Sequence, residues 1–174
     1  LPADVCGTAE LGPSSGPRTQ RPGKRDLLRY YHRLRELDAS GCPIQVGLIA
    51  AGTFGTQITS QVAAAAGMRM AAIAELDPAK AVRAYELGGI EADQVLEAET
   101  PEAIDAAMAQ GRHAVTRSAE ALVESGVDVV IEATGNVEVG AGHARVAIAA
   151  GKHVAMVTVE ADVVVGYQLR KLAD

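Results

Sequence analysis

Apolar residues in positions 44–174 fall into two alternating patterns. Short dense runs at 44–49, 68–74, 113–116, 127–133 and 153–159 have the length of strands. The run at 127–133 is nearly continuous, as expected of a strand buried on both faces of a parallel sheet. Between the runs lie helix-compatible stretches at about 54–66, 78–87, 118–126, 137–150 and 161–173. Asp77-Pro78, Thr100-Pro101 and Ser118 carry helix-start chemistry, and Gly67, Gly88-Gly89 and Gly151 carry stops. Strands alternating with helices predict an α/β fold, a doubly wound and mostly parallel sheet. Residues 90–112 interrupt the alternation. A helix from Thr100-Pro101 through Met108 to Gly111 is expected there, in an insertion or lid-like excursion.

The residues ahead of the first strand behave differently. Leu27, Leu28, Tyr31, Leu34 and Leu37 share one face of an amphipathic helix over 25–38, stopped by Gly41 and Pro43. Its arginines read as a solvated face rather than a phosphate site. Residues 1–24 are rich in Pro, Gly, Ser and Thr, lack periodicity and read as disordered. The expected organisation is a tail at 1–24, a leading helix at 25–41 and a single domain at 42–174.

The junction after the first strand carries the chemistry. Ala50-Ala51-Gly52-Thr53-Phe54-Gly55 joins strand to helix through small residues. A pyrophosphate rests against a helix N-terminus, where free N–H groups and the helix dipole attract it, and side chains there would hold it off. The usual G-x-G-x-x-G has three glycines. Here Gly52 and Gly55 stand in frame, and the first position is Ala50, whose methyl crowds the turn. Glu75, at the tip of the second strand, stands 20 residues after Gly55. A carboxylate there accepts hydrogen bonds from the adenosine ribose and repels a 2′-phosphate, and no arginine adjoins it in sequence, so NAD is favoured over NADP. Thr134-Gly135 follow the strand at 127–133, where a small turn lets a ribose or nicotinamide lie against backbone. The candidate cofactor-binding set is Ala51, Gly52, Thr53, Phe54, Gly55, Glu75, Thr134 and Gly135, in a Rossmann-type sheet. A strand–turn–helix unit that binds nothing is the bland alternative; a P-loop fits worse, since no Gly-Lys-Ser/Thr follows.

Composition narrows the classes. Of 174 residues 48% are hydrophobic but only 3% aromatic, so the core is built of Ala, Val, Leu and Ile, and stacking platforms for single-stranded nucleic acid are lacking. The net charge of −6 is uneven: residues 1–41 carry 7 Lys/Arg against 5 Asp/Glu, and the rest 9 against 17. An acidic domain without a basic stripe disfavours DNA. Cys6 and Cys42 show no paired spacing and read as free thiols of a reducing cytoplasm. No membrane span or apolar leader is expected. His32, His113, His143 and His153 show no ligand spacing, and no metal site or nucleophile motif is expected. Glu132 sits inside an apolar strand and Glu160 closes the next. Hydrogen bonding to backbone N–H groups is the preferred reading, and acid–base work at the crevice the sharper one.

Four segments in order carry a family likeness: residues 41–55, residues 67–75 (Gly-Met-Arg-Met-Ala-Ala-Ile-Ala-Glu), Val-Asp-Val-Val-Ile-Glu-Ala-Thr-Gly, and Ala-Gly-Lys-His-Val-Ala-Met-Val-Thr-Val-Glu-Ala-Asp. Together they resemble the N-terminal half of homoserine dehydrogenase-like NAD(P)-dependent oxidoreductases, closest to the subgroup with a SAF domain that includes deoxyxylulose-phosphate reductoisomerase-like proteins. The resemblance covers about residues 26–174. It implies that Gly52 and Gly55 hold the pyrophosphate, Glu75 the adenosine ribose and Thr134-Gly135 the nicotinamide side. A sugar-dehydrogenase group shares Ala-Gly-Lys-His-Val but has a catalytic lysine in a Glu-Lys-Pro motif, where Ala161 follows Glu160 here. The resemblance further implies that substrate and catalytic groups come from a region after the nucleotide domain. The expectation is therefore that these residues bind NAD or NADP and do not complete a hydride transfer alone, with the small hydroxy or carbonyl substrate, the catalytic residues and any homo-oligomer left open. A nucleotide sensor and a scaffold that has lost its ligand are the alternatives.

Overall fold

The structure, a computed structural model, describes residues 24–174, with side chains from residue 29 onward. The expected tail, Cys6 and the side chains of Leu27 and Leu28 lie outside the described residues. The elements run α1 (Lys24–Ala39), β1 (Ile44–Ile49), α2 (Thr53–Ala64), β2 (Met68–Ala74), α3 (Pro78–Leu87), β3 (Val95–Glu97), α4 (Pro101–Ala109), β4 (His113–Thr116), α5 (Ala119–Glu124), β5 (Val129–Glu132), α6 (Val137–Ala149), β6 (His153–Met156) and α7 (Val159–Ala173).

Six strands form one sheet in the order β3-β4-β2-β1-β5-β6. Every neighbouring pair is parallel. The chain leaves β1 toward β2, β4 and β3, then returns to lay β5 and β6 on the other side. Strand order therefore reverses between β1 and β5, which opens a crevice at their carboxyl ends. Ala, Val, Leu and Ile build a core on each face. Ile104, Leu122, Val123, Val130 and Ala147 pack one side, under α4, α5 and α6. Val46, Leu48, Met70, Ile73 and Tyr85 pack the other, under α2 and α3. Tyr85 is fully buried, and its hydroxyl donates to the Ala114 carbonyl at 3.0 Å, so the one large polar tip in this layer is satisfied.

Several expectations are corrected. Residues 90–112 form no lid: Val95–Glu97 is a sixth strand, hydrogen-bonded in parallel to β4, and α4 covers a sheet face. Three residues, one of them Glu97, were too few to show a period of two. The strand expected at 153–159 ends at Met156, and α7 starts at Val159 rather than 161. The run at 127–133 contracts to Val129–Glu132. On α1, among the described side chains of the predicted apolar face, Leu34 and Leu37 are half-buried but Tyr31 is exposed.

Candidate functional site

Helix α2 begins at the mouth of the crevice. The helices α3, α4, α5 and α6 are each capped by a side chain, from Asp77, Thr100, Ser118 and Asn136. Gly52 caps α2 with no side-chain hydrogen bond, and the first helical bond runs from Thr56 N–H to the Gly52 carbonyl at 2.9 Å. The amides of Thr53, Phe54 and Gly55 precede it, so they have no partner within the helix. A Cβ placed on Gly52 would meet nothing within 4 Å: it would stand in open space over this turn. A Cβ on Gly55 would lie 2.2 Å from the Ala50 carbonyl oxygen, so close approach of strand end and helix requires glycine there. Ala50 itself adopts φ +75°, the left-handed conformation that the missing first glycine would occupy freely. Its methyl is accommodated at a backbone cost of about 1–2 kcal/mol.

The crevice has a volume of about 440 Å³ and is lined by Ala50, Glu75, Leu76, Arg117, Thr134 and His143 among others. Glu75 Oε2 accepts from the Ala51 N–H at 2.8 Å and Oε1 from the Asp77 N–H at 3.3 Å. The carboxylate thus ties the tip of β2 to the glycine turn. Leu76 beside it is exposed. The structure brings Ala50, Glu75 and Thr134 together around one cavity, with Gly52, Thr53, Phe54 and Gly55 opening α2 from the same turn and Gly135 following Thr134. A second groove of equal volume lies among α6, β6 and α7, and none of these residues lines it.

At the end of β5, Glu132 is fully buried. Its Oε1 accepts from the Thr134 N–H at 2.9 Å and from the Thr134 hydroxyl. The Gly135 N–H donates to Thr158 Oγ1 at 3.0 Å. These bonds account for Oε1 and tie the carboxylate to the Thr134-Gly135 turn. Its Oε2 has no partner and faces Gly140, where an added Cβ would lie 2.7 Å away. Glu160 does not join it: it is exposed in the first turn of α7 and does not line the crevice.

Crevice residues that the sequence did not single out include Glu120, His143 and Arg117. His143 sits three residues after Gly140, on the same face of α6, with Nδ1 buried and unpartnered. Arg117 corrects the expectation that no arginine adjoins Glu75, because β4 pairs with β2 and delivers Arg117 to the same wall. The backbone registers this proximity: Glu75 N–H donates to the Thr116 carbonyl at 2.9 Å. Arg117 Nη1 binds Glu99 Oε1 at 3.1 Å. The Arg117 backbone N–H, the largest influence, together with the Thr116 hydroxyl and the guanidinium, holds the Glu99 carboxyl below the usual carboxylate range, against the opposing effect of burial.

A family model for the homoserine dehydrogenase NAD-binding domain matches residues 51–174, from the glycine turn to the end of α7. The chain belongs to this family. Its match begins at the turn that opens α2, so the crevice belongs to a domain that binds a nicotinamide dinucleotide in an oxidoreductase family. Solved structures share the fold. Scyllo-inositol dehydrogenase from Lactobacillus casei, with bound NAD(H) and scyllo-inositol, matches at 17% identity and a TM-score of 0.52 over 75% of this chain and 34% of that one. Biliverdin reductase from Synechocystis, in complex with biliverdin and NADP+, matches at 20% identity and 0.50 over 75% and 34%. A Klebsiella pneumoniae protein described as an oxidoreductase matches at 26% and 0.53 over 75% and 31%. The chain thus spans about one third of the length of these structures. No curated protein matches it. Among the described residues, no cluster of His, Cys, Asp or Glu could hold a metal, and no helix is long and apolar enough to cross a membrane.

Proposed function

We propose that residues 42–174 bind NAD as the cofactor-holding part of an oxidoreductase that moves a hydride to or from a small hydroxy- or carbonyl-bearing substrate. The observation that carries this reading is the α2 N-terminus: uncapped by any side chain, bare at Gly52, and placed where strand order reverses. In this reading the amides of Gly52, Thr53, Phe54 and Gly55, with Ala51 leading into them, receive the pyrophosphate. Glu75 keeps free lone pairs beside its two backbone bonds and accepts from the adenosine ribose. Thr134 and Gly135 form the floor for the nicotinamide end, held in shape by Glu132 and Thr158.

The cofactor supplies the hydride chemistry; the chain's contribution is position and field. Glu75 favours NAD over NADP because a second negative group beside it is repelled. Glu120, also on this wall, adds to that repulsion. Substrate recognition and acid–base groups are assigned to the remaining two thirds of a full-length relative's span. Titrating NADH and NADPH into the 174-residue chain while following nicotinamide fluorescence tests the proposal. Saturable enhancement with NADH is expected. No response to either nucleotide at millimolar concentration would overturn it.

A further inference from the structure

We infer that Arg117 and Glu99 form a latch that sets how far the crevice admits a 2′-phosphorylated nucleotide, with Arg117 as the phosphate contact and Glu99 as its resting partner. The inference deepens the nucleotide reading above and rests on it.

The argument begins with placement. Arg117 is the residue immediately after β4, and β4 lies next to β2, so its side chain shares the wall on which Glu75 would meet the adenosine ribose. It is the one cation lining this cavity among the described residues, where Glu75 and Glu120 are the anions. A cation on the ribose side of such a crevice is the group that a 2′-phosphate requires, and arginine's planar fork suits it. Leu76, 84% exposed at the same wall, supplies apolar surface for a base in either case.

Next comes the latch. Glu99 stands on the loop between β3 and α4. Its Oε2 accepts from the Arg117 N–H at 3.0 Å and the Thr116 hydroxyl at 3.1 Å, while Oε1 takes the guanidinium at 3.1 Å. Two of its three partners are therefore independent of the Arg117 side chain. The ion pair is open to solvent, with side chains 53% and 46% exposed. An exposed pair of this kind is weak. The guanidinium can leave Glu99 without stranding it, since the carboxylate keeps its backbone and hydroxyl donors. A phosphate within reach competes for the same fork with a larger charge. Glu75 opposes phosphate and Arg117 attracts it, so discrimination is a balance of two residues rather than the work of Glu75 alone.

The probes are adenosine 2′,5′-bisphosphate and AMP, which differ only in the 2′-phosphate, measured by calorimetry with the 174-residue chain. Arg117→Ala should weaken the bisphosphate about tenfold, the value of one charge-assisted hydrogen bond, and leave AMP within about twofold. Glu99→Gln keeps an acceptor for the backbone and hydroxyl donors but removes the competing charge, so it should tighten the bisphosphate alone. Glu75→Gln should admit the bisphosphate more strongly, and adding Arg117→Ala to it should remove that gain. Equal effects of Arg117→Ala on both probes, or none on either, would overturn the latch while NADH binding still stood. Failure of the parent to bind NADH at all would remove the nucleotide reading itself and the latch with it. Arg117 and Glu99 are exposed, so unchanged thermal melting of the free variants separates a lost contact from a lost fold.

Discussion

Replacing Ala50 by glycine should stabilise this chain, whereas the same replacement one residue later should weaken it. Ala50 has φ +75°, and among the described residues no other non-glycine has a positive φ. An L-residue with a Cβ pays about 1–2 kcal/mol in that region. Glycine relieves that strain and returns about 0.4–1 kcal/mol through its looser unfolded chain. The balance for Ala50→Gly is a gain of about 1 kcal/mol, with limits near zero and 1.6. For a domain of this size that is a rise of about 2–4 °C in Tm. Ala51 is 5% exposed and lacks positive φ, so Ala51→Gly removes a buried methyl and loosens the unfolded chain, a cost of about 1–2 kcal/mol. Denaturant midpoints of parent and both variants, with cofactor absent, measure the pair. The turn also gains room for a diphosphate, so Ala50→Gly should bind NADH at least as tightly as the parent. A fall in stability for Ala50→Gly, or equal shifts for the two variants, would refute the strained-turn account.

Other perturbations test neighbouring contacts. Gly55→Ala forces a Cβ to within 2.2 Å of the Ala50 carbonyl and should cost about 2 kcal/mol or more, with loss of NADH binding in fluorescence titration. Glu132→Ala strands the Thr134 N–H and hydroxyl and leaves a void, costing about 2–4 kcal/mol in denaturant unfolding, while Glu132→Gln keeps an acceptor and should stay within about 1 kcal/mol of the parent. Burial pushes His113 below the ordinary imidazole value of 6.5, against the opposing hydrogen bond to the Met70 carbonyl. The unfolded chain then takes up the proton first, so stability should fall as pH drops below 6.5 through the lowered folded value. His113→Gln should flatten that part of the pH–stability profile, and an unchanged slope would count against it.

The regular elements were legible because they are long and punctuated. Asp77-Pro78 and Thr100-Pro101 start helices where the capping hydrogen bonds are found, and the runs at 44–49 and 68–74 match β1 and β2 residue for residue. What failed to show was whatever depends on which strands are neighbours. Arg117 is 42 positions from Glu75 in the chain, and only the β2–β4 pairing makes them share a wall. β3 is three residues long and draws its definition from hydrogen bonds to β4 rather than from its own pattern. Glu160 looked like a strand end because Val157 and Val159 flank Thr158, yet Thr158 is already occupied in accepting from Gly135, and the chain turns into α7 at that point.

Glu75 shows why a residue at the right spacing carries less information than it seems to. A carboxylate 20 residues past the glycine turn is what a ribose-binding site needs, and Glu75 stands there. The same carboxylate also takes the Ala51 and Asp77 amides, one on each oxygen. It thereby fixes the left-handed residue's successor and the N-terminal approach to α3. A sequence rule counts the residue type; it does not count lone pairs already in use. Each carboxylate oxygen retains a second acceptor site, so the structural and ligand roles are compatible, but they are not separable by deleting the side chain. Loss of NADH affinity on truncating Glu75 would follow from a disturbed turn as readily as from a missing ribose contact. The ribose role is isolated only by comparing ligands that differ at the 2′ position, because the turn geometry is common to them and cancels.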